Sequence, residues 1–298
     1  MRGLPEHVAS HLGMLTTEER RFLYEFARDT FRGEGLIIDA GIFMGASTAA
    51  LATGLRDRSP PYVGRPIQSF DLATCDQSTA ETMAYHFPQE EWQQGKSFAH
   101  VLTRALSPYE DLVEFAVGDI RETLVNLNEP VELAFLDCSK LPSVNAHLTR
   151  VIFPRLIPGH SVVVQQDFFH EWLPWIHVTM GYLAPYFRFI GSAGPSAFFR
   201  CEKAIPEHVA AIDTWNDPPR PGLQMFDAGV PSGLSETEAY LADLARVSAV
   251  RWFEGVDASV QYANRLTKPS GETPWTLPEA SFVADVMKGR GLDWAHAS

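Results

Sequence analysis

The sequence predicts a doubly wound α/β protein with a mostly parallel sheet and a helical C-terminal appendage. Three observations carry this. Short apolar runs alternate with helical patterns over roughly the first two thirds of the chain. The first of these runs ends in an acid and a glycine-bearing turn that leads into an alanine-rich helix. Beyond Ile205 the strand-like runs cease and helical patterns take over.

The elements follow in order. Thr16–Phe31 reads as an amphipathic helix, with Thr16 and Glu19 at capping-box spacing and Phe22, Leu23 and Phe26 forming a stripe. Five strands are expected at Leu36–Ala40, Ile67–Leu72, Val113–Val117, Val131–Leu136 and Ser161–Gln165. Their separation by helical segments implies βαβ units and a parallel sheet covered on both faces. Phe187–Gly191 and Ala197–Cys201 lie close enough to form a terminal antiparallel pair, giving about seven strands. The segment Ala73–Asp111 is long and aromatic, and it reads equally as a helical crossover or as a lid or substrate wall at the carboxyl edge of the sheet. Asp217–Gly222 is a proline-rich loop, and Ser235 with Glu238 caps a helix whose Leu241, Leu244 and Val247 share a face. The tail Lys268–Pro278 is rich in proline and glycine. The domains are therefore placed at 1–204 and 205–298, the second packing on the core or on a second subunit in a homodimer.

With 298 residues, 45% of them hydrophobic, the chain can bury roughly three quarters of its unfolded surface. The opening residues lack the apolar core of a signal peptide, and no apolar run reaches membrane-spanning length. Cys75, Cys138 and Cys201 lie far apart, which fits reduced thiols and a cytoplasmic location better than a disulfide framework. A formal net charge of −13 argues against nucleic acid as partner and for a small molecule.

At the first strand end the residues run Asp39-Ala-Gly41-Ile-Phe-Met-Gly45-Ala-Ser47-Thr48. The glycines let backbone approach a ligand, and the hydroxyls can cap the helix or donate to that ligand. A dinucleotide turn would instead show G-x-G-x-x-G, with phosphate on the helix N-terminus. The D-x-G-x-x-x-G-x-S pattern resembles motif I of the class I S-adenosylmethionine-dependent methyltransferases, whose turn wraps the methionine moiety of the cofactor. Over roughly residues 30–202 the resemblance implies a Rossmann-like methyltransferase fold and S-adenosylmethionine as cofactor.

Acids end the strands in succession: Asp39, Asp71, Asp119 (after Gly118), Asp137 and Asp167. Any one alone reads as a helix cap or loop acid, but five in series are hard to reach by chance. The resemblance makes Asp71 the acid that chelates the ribose hydroxyls, which a carboxylate does well because it accepts two hydrogen bonds at once. It sets Asp119 beside the adenine, and Asp39, Gly41, Gly45, Ser47 and Asp137 around the rest of the cofactor.

Asp137-Cys-Ser-Lys140 has the D-x-x-K spacing of catechol-type O-methyltransferases, in which the aspartate binds a divalent cation and the lysine is the base. The stretch is also similar to that of macrocin-type sugar O-methyltransferases, as is the turn Pro154-Arg-Leu-Ile-Pro-Gly159. Both families end the fifth strand in Asp-Asp or Asp-Asn, whereas here Gln166-Asp167 stands. A neutral carbonyl in place of a carboxylate weakens a Mg²⁺ site, leaving Asp137 and Asp167, with His170, as its ligands. Proton removal from the acceptor falls to Asp137, Lys140, Asp167 or His170, although Lys140 also reads as a solvated surface lysine and His170 as a loop histidine. In the aromatic run after the fifth strand, Trp172 or Trp175 is expected to line an apolar substrate pocket while the phenylalanines enter the core.

The function these readings imply is methyl transfer to a hydroxyl of a small sugar or natural-product acceptor. Two other classes compete. A nicotinamide oxidoreductase is opposed by the missing G-x-G-x-x-G, and a degenerate methyltransferase fold serving in binding or assembly would not transfer methyl at all.

Overall fold

The structure, a computed structural model, describes residues 3–270 and 278–280. Most of the proline- and glycine-rich tail (271–277) and residues 281–298 of the expected appendage lie outside the described residues. The chain divides into two compact units, Met1–Glu132 and Leu133–Ser298. The described strands form a seven-stranded, mostly parallel sheet flanked by helices, as the alternation predicts.

In the first unit, α1 (Glu6–Ala9) and α2 (Thr17–Glu25) precede β1 (Leu36–Ala40), α3 (Ala46–Asp57) and β2 (Ile67–Asp71). There follow α4 (Gln77–His86), α5 (Ala99–Leu106), β3 (Val113–Val117) and α6 (Ile120–Thr123). The strand order is β3-β2-β1, all parallel, with Ile37 opposite Ile67 and Ile67 opposite Val113. The Thr16–Glu19 capping box is present. The expected helix to Phe31 stops being α-helical at Glu25, and Phe26–Thr30 widens into a π-helical turn closed by Phe31 N–H to Phe26 O. Gly54 of α3 permits close approach there, since a Cβ on it would stand 2.3 Å from the Tyr24 carbonyl oxygen. Buried Glu132 gathers the backbone N–H groups of Arg32, Glu34 and Gly35, fixing the entry into β1.

In the second unit, β4 (Val131–Leu136), which starts in the first, leads to α7 (Pro142–Ile152) and β5 (Val162–Gln165). Then come α8 (Pro174–Tyr182), β6 (Phe187–Ala193), β7 (Ser196–Cys201) and α9 (Glu207–Ala210). The chain continues through α10 (Gly222–Gly229), α11 (Glu236–Glu254) and α12 (Val256–Ala263). The order is β4-β5-β7-β6; β4 and β5 are parallel, and β7 is antiparallel to both β5 and β6. That is the expected terminal pair.

α8 is buried along almost its whole length because α10 packs on it. Glycines set that contact. A Cβ on Gly181 would fall 1.7 Å from Met225 O, and one on Gly229 would fall 2.0 Å from His177 O. The Ser235–Glu238 capping box starts α11, whose Leu244 and Val247 are buried. Among the described residues no helix is long and apolar enough to cross a membrane.

Candidate active site

Each unit carries one set of acids at the carboxyl ends of its strands. In the first unit the turn after β1 runs through Gly41 (φ +88°), Phe43 (φ +47°) and Gly45 (φ +83°). Gly41 N–H donates to Phe70 O at 2.8 Å, tying the turn to the end of β2. Asp71 completes the tie. Its Oδ2 accepts from the N–H groups of Ile42 and Phe43, both at 2.8 Å, and its Oδ1 from Ala73 N–H at 2.6 Å. Phe43 and Ala73 both hold left-handed backbone, which costs a non-glycine residue about 1 kcal/mol, so Asp71 fixes two strained positions at once. Burial pushes the Asp71 pKa up, and the three amides work against that rise.

Asp39 is fully buried in β1, opposite Ser69. Thr48 donates to its Oδ2 at 2.6 Å and lies 3.1 Å from the Ser69 hydroxyl, so the acid anchors the first turn of α3. Burial raises its pKa to about 7, the Thr48 hydrogen bond opposing and the charge of Asp71 reinforcing the shift. Ser47 is buried in the same helical turn. Asp119 caps α6 through Arg121 N–H and holds the Arg121 guanidinium at 2.7 Å.

The segment between β2 and β3 is not detached from this turn. Met83, Phe98, Val101, Leu102 and Leu106 pack in one cluster with Ile42 and Met44, with Phe43 against it. It is a crossover that braces the glycine turn.

Sequence reading missed two residues here. His11 Nε2 lies 2.9 Å from Met44 O, holding the N-terminal segment on the turn, and burial lowers its pKa. Arg20, only 4% exposed, donates to the carbonyls of Val8, His11, Gly13 and Leu15. A lone histidine 33 residues from its partner carries no local signal, and Arg20 reads as one more charge on an amphipathic helix.

In the second unit Lys140 gathers the chemistry. Its Nζ donates to Asp137 Oδ1 at 2.8 Å, to Gln166 Oε1 at 3.3 Å and to Asp167 Oδ2. Burial works to lower its pKa, but the two carboxylates outweigh burial and raise it, so the group is an ammonium with no lone pair to accept a proton. Asp167 stands just past β5 with φ +58°, a conformation aspartate tolerates better than most residues. The arrangement carries one net negative charge: two carboxylates and one ammonium.

His170 donates its N–H to Asp167 O, while its Nδ1 accepts from Trp172 N–H at 3.3 Å and faces Glu171 at 3.7 Å. That acceptor role assigns the ring proton of a neutral His170 to Nε2. Phe168 and Phe169 are buried, as expected. Trp175 is 1% exposed, donates its indole N–H to Ser139 O at 2.8 Å and meets Trp215 edge-on. It thus pins the loop between Asp137 and Lys140 from the core. Trp172 is half-buried against the cluster of Tyr240, Leu244, Val247 and Ala263.

The donor set fits a divalent cation poorly. The oxygens of Asp137, Gln166 and Asp167 already converge on an ammonium, one of the three is neutral, and no group of three or more His, Cys, Asp or Glu that could hold a metal occurs among the described residues.

Comparison with known proteins adds one match inside this frame. Residues 38–168 match the family model described as a methyltransferase domain, a stretch that contains Asp39, Asp71, Asp119, Asp137, Lys140 and Asp167 and stops short of His170, Trp172 and Trp175. No curated protein sequence matches the chain. Among solved structures the chain is similar to the O-methyltransferase NovP, at 13% identity over 64% of this chain and 82% of that one, with a TM-score of 0.48. It is also similar to the SAH-bound methyltransferase PaMTH1 of Podospora anserina, at 16% identity over 68% and 90%, TM-score 0.47. A third is CalS11, a TDP-rhamnose 3′-O-methyltransferase, at 18% identity over 61% and 77%, TM-score 0.43.

Proposed function

Taking residues 38–168 as a methyltransferase domain, we propose that the protein transfers a methyl group from S-adenosylmethionine to a hydroxyl of a small neutral molecule, of the sugar or natural-product class. The observation that carries this reading is the glycine turn after β1, stapled by Asp71 within the matched stretch. The cofactor supplies an electrophilic methyl on a sulfonium centre.

The chain's own residues fit that group by their chemistry. Gly41 and Gly45, in left-handed conformation, keep side chains off the turn. Asp71 Oδ1 accepts one N–H and keeps a lone pair for a ribose hydroxyl, and the neighbouring Leu72, 58% exposed, offers an apolar face to a flat ring. Of the candidates for proton removal, Asp167 serves best. Lys140 is an ammonium and Nδ1 of His170 already accepts a backbone N–H; both acids pair with Lys140, but Asp137 has a further partner while, among the described residues, Asp167 is engaged through Oδ2 alone. The Lys140 ammonium then stabilises charge developing on the acceptor oxygen. The chain's formal charge of −13 disfavours strongly anionic acceptors. In this reading residues 1–204 are the catalytic part and 205–298 a helical extension, and three cysteines held in no disulfide suit a reducing cytoplasm.

The test is transfer of isotope-labelled methyl from S-adenosylmethionine to a panel of neutral sugars and phenols. Transfer to a hydroxyl is expected, with kcat reduced about 10²-fold or more in Asp167→Asn. Donor binding without transfer to any acceptor would favour a degenerate fold that binds and does not catalyse.

A further inference from the structure

The Asp137–Gln166–Asp167 oxygens converge on a single atom, and that atom belongs to the chain itself. Lys140 Nζ meets Asp137 Oδ1 at 2.8 Å and Gln166 Oε1 at 3.3 Å, and pairs with Asp167 Oδ2. Three oxygens from three residues around one positive centre is the environment a bound cation requires. We propose that Lys140 is the resident cation of this site, so that the protein works without a divalent metal, and that removing the lysine uncovers a latent divalent-cation site.

Three features of the site support this. The first is spacing. Asp137 Oδ1 and Gln166 Oε1, at 2.8 and 3.3 Å from Nζ, are spaced for a hydrogen-bonded ammonium, whereas Mg²⁺ demands oxygens at about 2.0–2.1 Å in octahedral array. The second is charge. Two carboxylates facing one ammonium leave a single net negative charge, and the third donor, Gln166, adds none; a dication would have to enter beside a positive charge already seated.

The third is rigidity. Lys140 N–H closes a tight turn on Cys138 O at 2.7 Å, and the Ser139 carbonyl between them accepts from the buried Trp175 indole. On the other side, Gln166 N–H bonds Leu136 O, joining the ends of β4 and β5 beside the cluster. The loop that carries the lysine is held from the core, so the ammonium is built into the site and does not visit it by chance.

With Lys140 gone, Asp137 and Asp167 would face each other with two unneutralised charges and a carbonyl oxygen between them, a donor set suited to a hard dication. The experiment is Mn²⁺ binding to the full chain, read by electron paramagnetic resonance of free Mn²⁺, for the wild type, Lys140→Ala, Lys140→Met and the double variant Lys140→Ala/Asp137→Asn. The wild type is expected to bind Mn²⁺ no tighter than about 1 mM. Each single variant should bind at least about tenfold tighter, with Mg²⁺ competing, and the double variant should lose the gain. Thermal melts identify any variant that fails to fold, and the wild-type titration stands without them.

Stoichiometric Mn²⁺ binding by the wild type overturns the proposal, and so do folded Lys140 variants that bind no better than the wild type. Metal binding is read here without methyl transfer. A parallel titration with S-adenosylhomocysteine therefore separates failure of this inference from failure of the proposed activity.

Discussion

At the residue scale, two buried titratable groups make opposite statements about pH. Burial raises Asp39 to about 7, so between about pH 4 and 7 the folded state holds a proton that the unfolded state has lost. Stability from this group is full below the unfolded pKa and falls as pH rises through that window. Asp39→Asn should therefore gain on the wild type as pH rises from 4.5 to 7.5, by up to about 1.4 kcal/mol per pH unit, measured by urea unfolding. His177 runs the other way. It is fully buried between Phe168 and Phe226, its ring nitrogens have no hydrogen-bond partner among the described residues, and burial depresses its pKa to about 3. The unfolded chain takes up a proton that the folded chain refuses between about pH 6.5 and 3, so stability falls on acidification. A His177→Leu chain should show a shallower loss of stability from pH 6.5 to 4.5 than the wild type, whatever its absolute stability. Asp71 belongs at this scale too. Asp71→Ala leaves three N–H groups and two left-handed residues without their acceptor, a loss of about 2 kcal/mol or more. Asp71→Asn keeps one oxygen for Ile42 and Phe43 and should cost less.

At the element scale, the decisive contact of the second unit is α8 against α10. It is made by backbone meeting backbone at Gly181 and Gly229, where any side chain would overlap a carbonyl that cannot move aside. Gly181→Ala should destabilise the protein by about 3 kcal/mol or more. Gly159→Ala meets nothing within 4 Å but forces alanine to φ +74°, and should cost only about 1 kcal/mol. Urea midpoints of the two variants measure the difference. The elements themselves were largely legible. Apolar runs bounded by turn residues located the strands, with overruns of one residue at Leu72, which is exposed beyond the end of β2 at Asp71, and at Ser161, which precedes the start of β5 at Val162. Capping boxes at Thr16 and Ser235 were readable because both partners sit three residues apart. The π-helical turn at Phe26–Thr30 was not, since it answers to the close approach of α3 and not to its own periodicity.

At the scale of the whole molecule, the candidate site was legible in type and not in pairing. Each acid could be placed at a strand end from sequence, but which group it holds depends on contacts across the chain. Lys140 is three residues from Asp137, so D-x-x-K was visible; its contact with Asp167 spans 27 residues, and only the fold shows that the lysine is held as a cation between two acids. Trp175 was one of two tryptophans expected at a pocket, and it lies instead in the core, because an indole's role is set by what covers it, here Trp215 from the chain beyond β7. Asp71 was read as a ligand acid, and what the structure shows is that it holds the turn after β1.

The most direct test of the central claim, that this fold holds S-adenosylmethionine through the Asp71-stapled turn, is calorimetric titration of the purified protein with S-adenosylhomocysteine. The wild type and His177→Leu are expected to bind with micromolar affinity, about −8 kcal/mol, and Asp71→Ala to lose at least about tenfold. A wild-type chain that melts cooperatively yet gives no binding heat at several temperatures, or an Asp71→Ala chain that binds as tightly as the wild type, would contradict it.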